Sequence, residues 1–172
     1  LTFGGGSPID TAKVISIAVT NTKTPEQLVG YFKAKNPGLP LFAVPTTAGT
    51  GSEVSLGAVI SDPVSHKKGF VAEPKTIPVA AALDPSVMLG LPAPITAATG
   101  VDALTHAVEA YISKLASDES DAYAIASVKM IFQNLKEAYS NGSNIEARES
   151  MALASCYASL ALNKALLGYV HG

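Results

Sequence analysis

Charge is scarce in this sequence. Asp, Glu, Lys and Arg make up 15% of its 172 residues, and the formal net charge is −2. A nucleic acid or an anionic membrane surface would call for a basic field, so neither is expected as a partner. Long apolar runs are missing too, although 48% of the residues are hydrophobic. No stretch approaches the ~20 residues that a bilayer span needs, and the opening residues do not read as a signal peptide. Cysteine is nearly absent: the lone Cys156 permits no intrachain disulfide and reads as a small core side chain in an apolar helical stretch. A reducing, cytoplasmic compartment is the expectation. Only three histidines occur, His66, His106 and His171, so the position of each matters.

The length suits one well-buried domain, or one and a half small ones. LTFGGGS opens like the last residues of a strand, and LGYVHG follows an apolar helical segment without a cap. The expectation is an internal piece of a longer protein. Leu1 to Phe3 read as the end of a buried strand, with Gly4, Gly5 and Gly6 as the turn. Ser7 is the expected N-cap of a helix through SPIDTAKVISIAV, with Pro8 at its first position and Asp10 at its third. A second helix is expected from Pro25 to Lys35, ended by Asn36-Pro37-Gly38. LFAV (41–44) is a short strand, and strand-like pieces follow at GAVIS, GFVAE and VAAAL. After Asp84-Pro85 the pattern turns helical, with helices around the 102–106 segment, from about 120 to 139 and from about 145 to 167. The turn SNGSN separates the last two. A boundary near 84–92 therefore divides an α/β part from an all-α part.

Three segments carry chemistry. In GGGSPID, a strand, a glycine turn and a capped helix start aim free N–H groups and a helix dipole at one spot, an arrangement that suits a pyrophosphate. The spacing is not GxGxxG, and a purely structural tight turn is the alternative. In PTTAGTGSE, Thr46, Thr47, Thr50 and Ser52 place four hydroxyls after a strand, which suits ligand contacts at the carboxyl end of a parallel sheet. A polar solvent loop is the alternative there. Lys68, in KKGFV, points either into such a crevice or to solvent. His66, in SHKKG, reads as surface.

The third segment is GVDALTHAVEAY. Asp102 and His106 are four residues apart, so a helix puts them on one face, one turn apart. Taken singly, Asp102 reads as a surface carboxylate and His106 as a satisfied core histidine. As a pair among Ala103, Leu104, Ala107 and Val108 they form a two-pronged chelate, because burying both groups there is costly without a partner. His171 can close it from another helix. One carboxylate with two imidazoles suits Fe(II), Zn(II) or Mn(II) rather than Ca(II) or a soft copper site. Glu109 is a further ligand or, more conservatively, a neighbouring ion-pair or supporting group.

These segments together, GGGSPIDTAK, PTTAGTGSE, ATGVDALTHAVEAY and LGYVHG, resemble the signature segments of the iron-dependent (group III) alcohol dehydrogenases. The resemblance is nearest the lactaldehyde/1,2-propanediol oxidoreductase and butanol or 1,3-propanediol dehydrogenase branch, and it spans the whole chain. It implies a partial Rossmann-like α/β dinucleotide-binding domain (1–88) followed by a partial all-α metal-binding domain (89–172), in a dehydroquinate synthase-like architecture. Gly5, Gly6, Ser7 and Asp10 match the family's pyrophosphate turn. Thr46, Thr47, Thr50 and Ser52 match its second nucleotide loop, and Val59 and Lys68 match residues lining the adenine and nicotinamide side. Asp102, His106 and His171 match three of four metal ligands, the fourth being a histidine a few turns past the position of His171. The implied function is hydride transfer between a small primary alcohol or aldehyde and NAD or NADP, with Fe2+ (or Zn2+) polarising the substrate oxygen, in a homodimer. A zinc glycerol dehydrogenase-like enzyme and a non-catalytic cofactor-binding module are the alternatives.

Overall fold

A computed structural model describes residues 1–62 and 65–171 of the chain. They gather into two compact units, Leu1–Pro45 with Ser52–Ala82, and Thr46–Gly51 with Leu83–Gly172. Beside the expected division at 88/89, the second unit begins at Leu83 and also takes in the short loop 46–51.

In the first unit, β1 (Thr2–Gly4) turns into α1 (Gly6–Asn21). The N-cap is Gly5, without a side-chain cap, rather than the expected Ser7. The first-turn N–H groups of a helix have no intrahelical acceptor, so Ser7 and Pro8 fit inside that turn. β1 pairs in parallel with β3 (Phe42–Pro45), and β3 in parallel with β6 (Ala80–Ala81), giving the sheet order β1-β3-β6. A second sheet, β2-β5-β4, joins β2 (Gly30–Tyr31), β5 (Lys68–Ala72) and β4 (Gly57–Ser61). Its β4 and β5 are antiparallel. Val14 and Ile17 of α1 pack with Leu28, Ala34, Ala58 and Val71 as the apolar core of this unit.

The helix expected over Pro25 to Lys35 is a single turn, α2 (Pro25–Leu28), with a Thr24/Gln27 capping box. Its continuation is broken by Gly30 at φ +112°, and Phe32 follows at φ +53°. The Phe32 N–H donates to the Ala72 carbonyl at 2.9 Å, and Tyr31 pairs with Ala72. Pairing with β5 has overridden local helix propensity. Of VAAAL, only Ala80–Ala81 pair as strand.

The second unit is built on α3 (Ala93–Tyr111), α4 (Asp118–Ser140) and α5 (Ile145–Ala165). Ser117 and Ser120 cap α4 reciprocally, and Asp118, Glu119 and Asp121 lie in its first turn, where the helix dipole favours negative charge. Asn144 caps α5 through the Ala147 N–H (3.0 Å). The interface is lined by small side chains: Ala103, Ala107, Ala110, Ala124, Ala154, Ala158 and Ala161 are fully buried, with Ile131 and Met151 as the larger fillers. Among such methyl-sized groups a serine is tolerated where its hydroxyl finds a backbone partner, and Ser127 Oγ donates to the Ala154 carbonyl at 2.8 Å.

One buried cation ties the ends of these helices. Arg148 donates from Nη1 to Thr96 Oγ1 (2.6 Å), from Nε to the Gly142 carbonyl (2.9 Å) and from Nη2 to the Leu91 carbonyl (3.1 Å). Arg148→Ala leaves all three acceptors without this donor and is expected to cost about 3 kcal/mol. Arg148→Lys is expected to recover little, because an ammonium cannot reproduce the planar fork. Urea denaturation of the purified protein measures both; an unchanged midpoint for Arg148→Ala would contradict the clamp.

Candidate metal centre and nucleotide-facing residues

The helix α3 does what the i, i+4 spacing predicts. Its apolar positions Ala103, Ala107 and Ala110 are fully buried, and this rotation sets Asp102 and His106 side by side, with Asp102 Oδ1 3.7 Å from His106 Nε2. His171 arrives from the turn after α5, where Leu166 leaves the helix at φ +63°. Its Nε2 lies 3.3 Å from the same Asp102 oxygen, and its ring is 4.6 Å from that of His106. One donor atom from each of the three residues lies within 4.8 Å of the others.

That spacing is a test of fit. Ligands bonded at about 2.0–2.2 Å around a tetrahedral cation sit roughly 3.4 Å from one another, close to the two separations made by Asp102. The O/N/N donor set is that of a borderline divalent metal. Burial pushes the His106 imidazole below its ordinary pKa and the nearby His171 adds to this, while Asp102 and the Gly49 backbone pull the other way. The net effect favours a neutral ring, the ligating form. Its Nδ1 is buried without a well-formed hydrogen bond. Glu109, one further turn along α3, is buried and contacts His171.

The loop 46–51 belongs to this helical unit. Ser159 Oγ donates to the Thr50 carbonyl at 3.1 Å. Gly49 faces the Thr99 backbone and Gly51, at φ +57°, faces Ser159, so that a Cβ at either place would collide. The two glycines are therefore needed for close approach to α3 and α5, besides any role toward a ligand. Thr46, Thr47 and Thr50 are partly exposed on that loop.

The remaining expected nucleotide residues lie in the first unit. Ser7, Val59 and Lys68 line one pocket of about 780 Å³, together with Thr11, Val14 and Ile60. Asp10 is turned inward instead. Its Oδ2 accepts the Val59 N–H at 2.8 Å, and the Ser52 hydroxyl bonds the carboxylate as well. Burial raises the Asp10 pKa, against the lowering effects of these contacts and of Lys13. Gly5 and Gly6 sit at the α1 start. His66 is exposed, as expected of a surface residue.

Sequence reasoning passed over Lys13. It is fully buried, and its Nζ donates to the Ser55 carbonyl (2.7 Å), Ser55 Oγ (3.0 Å) and the Gly57 carbonyl (2.9 Å). The signal was present, because Ile9, Asp10, Lys13, Val14 and Ile17 form one buried helical face with a charge pair inside it. Glu53 is buried too, and burial pushes its carboxyl up.

Two sequence profiles describe nearly the whole chain. That of the iron-containing alcohol dehydrogenases matches residues 1–85, and that of the C-terminal part of the Fe-containing alcohol dehydrogenase family matches residues 96–172. The chain is 48% identical to the 1,3-propanediol dehydrogenase of Citrobacter freundii over 171 residues, 99% of this chain and 44% of that protein. Among solved structures it is similar to a 1,3-propanediol oxidoreductase, with a TM-score of 0.93 at 47% identity over 98% of this chain and 44% of that one. It is also similar to a sulfoacetaldehyde reductase from Bifidobacterium kashiwanohense in complex with NAD+, with a TM-score of 0.89 at 33% identity over 99% and 46%. The chain belongs to the iron-containing alcohol dehydrogenase family, and it spans a little under half the length of these relatives.

Lys13 gives this unit a pH signature. Burial lowers its pKa from 10.5 to about 8, while Asp10 and Glu53 oppose the shift. Below pH 8 both folded and unfolded chains carry the proton, and the desolvation penalty is fully present. Between about 8 and 10.5 the unfolded chain binds more protons, so stability rises with pH. Denaturation midpoints of wild type relative to Lys13→Met are expected to increase from pH 7.5 to 10. A flat or falling difference would refute the assignment.

Proposed function

We propose that the chain works in a metal-dependent, NAD(P)-linked alcohol dehydrogenase that interconverts a small primary alcohol and its aldehyde. The Asp102/His106/His171 cluster carries the reading, because it gathers an O/N/N donor set from one face of α3 and the turn after α5. The names of relatives, a 1,3-propanediol dehydrogenase and a sulfoacetaldehyde reductase with NAD+, support a small hydroxyl- or carbonyl-bearing substrate and NAD as cofactor. Residues 1–88 are read as part of the nucleotide-binding domain and 89–172 as part of the metal-binding domain, which the two profile matches support. Iron is the metal that the family favours; zinc is the alternative that the same donors would accept.

When bound, the cation supplies Lewis acidity toward the substrate oxygen and nicotinamide supplies the hydride acceptor or donor. The protein's part is positional. Asp102, His106 and His171 hold the cation, with His106 kept neutral by burial. Gly5, Gly6 and Ser7 offer the α1 amino end to a pyrophosphate, with Thr46, Thr47, Thr50 and Ser52 as further polar contacts. Val59 and Lys68 flank the dinucleotide from the pocket they share with Ser7. Asp10 acts through Val59 and Ser52, holding the former's backbone and the latter's hydroxyl.

Cytoplasmic location and a homodimer belong to the same reading; the single cysteine supports the first, and light scattering tests the second. In the full-length protein we expect one divalent ion per chain and NAD-linked oxidation of 1,3-propanediol or a related small alcohol. Asp102→Asn or His106→Ala should remove the ion and reduce turnover to background. Metal-free protein of undiminished activity would sink the proposal. Turnover restored by zinc but not iron, with glycerol as preferred substrate, would move it to the glycerol dehydrogenase type. NADP outperforming NAD would change the cofactor assignment alone.

A further inference from the structure

We propose that Glu109 is the positioning residue of the metal site: it holds the His171 ring so that Nε2 is left bare toward Asp102 and His106, and it anchors the 168–171 turn to α3. The proposal rests on the metal-site reading above.

Asp102, His106 and Glu109 stand at i, i+4 and i+7 on α3, one face of one helix. Glu109 is 4% exposed, deep for a carboxylate, and such burial demands partners. It has them. Oε2 lies 2.7 Å from His171 Nδ1, and Oε1 accepts the Val170 N–H at 2.7 Å. The Gly168 N–H also bonds the carboxylate. Gly168 is matched to the arrangement, since a Cβ there would come within 2.9 Å of Oε1.

The chemistry follows from what a carboxylate can do. The Glu109 carboxylate already accepts the Val170 and Gly168 N–H groups, and a carboxylate that serves as acceptor pairs at 2.7 Å with an Nδ1 that carries the proton. In a neutral imidazole the lone pair then sits on Nε2, the atom facing Asp102 Oδ1 at 3.3 Å. Glu109 thereby selects the tautomer that can ligate and fixes the plane in which it does so. Its second oxygen holds the backbone on which that ring is mounted. A carboxylate behind a ligating imidazole also raises the basicity of the donor. A merely structural ion pair would stabilise the turn without choosing a nitrogen, and this difference can be measured.

Glu109→Gln is the informative variant. With the amide oxygen on the Val170 N–H, the amide NH2 faces Nδ1 and turns it into an acceptor, which moves the proton to Nε2 and blocks ligation. The measurement is Zn(II) affinity of the full-length, metal-stripped protein by chelator competition, alongside thermal unfolding and NAD+ affinity. Glu109→Gln should weaken Zn(II) binding roughly 10- to 100-fold, with NAD+ affinity unchanged. His171→Ala serves as the control for the site itself. If wild type binds Zn(II), His171→Ala loses it and Glu109→Gln binds like wild type, the positioning role is wrong and the metal site stands. If wild type binds no Zn(II), or His171→Ala binds as tightly as wild type, the metal-site reading fails and takes this one with it. Should Glu109→Gln not fold, 15N NMR of zinc-loaded wild type decides: a protonated Nδ1 with metal on Nε2 of His171 is expected, and metal on Nδ1 would overturn the proposal.

Discussion

Close packing of small residues is the constraint on which the helical unit depends. With Ala103, Ala107 and Ala110 on one face of α3 and Ala154, Ala158 and Ala161 on α5, little side-chain bulk separates the helices. Replacing one of these methyl groups by a larger chain would force strain into a packed seam. The same seam fixes the rotation of α3. Because its alanines face inward, Asp102, His106 and Glu109 are placed together on a neighbouring face. The chemistry of the site is thus a by-product of which residues are small.

The glycine- and threonine-bearing loop 46–51 follows the same logic. It follows a strand of the first unit in the chain, but it is held by α3 and α5 through Gly49, Thr50 and Gly51. A polar loop of this composition reads at first as ligand-contacting surface. Its glycines have a nearer reason: they permit the loop backbone to lie against the Thr99 backbone and the Ser159 side chain. Packing and recognition need not be alternatives, since a rigidly seated loop presents its threonines in one geometry.

Much of this was legible from residues alone. Asp102 and His106 stood out because helical spacing is robust over a long, uniformly patterned segment. α4 and α5 were likewise readable from periodicity and from the SNGSN turn. The helix expected past Leu28 was not, because its competitor is a pairing with β5 far along the chain, which no local signal in that window reports. His171 had no periodicity of its own to place it. It was expected to close the chelate from another helix, and it sits instead on a turn after a positive-φ residue. Arg148 looks like one more surface charge until the Gly142 turn folds back over it. Lys13 and Asp10 were partly readable, as charges on an otherwise apolar helix face, yet their protein partners lie more than forty residues away.

The contact between His171 and Asp102 joins residues 69 apart in sequence. A cation gripping both would act as a reversible cross-link around α4 and α5. In the loop-entropy picture, closing a ring of this size restricts the unfolded chain by about 4 kcal/mol, comparable to a disulfide. These residues hold a single cysteine, Cys156, so no disulfide between two of them staples the bundle, and the cation would serve as a staple that chelation can open.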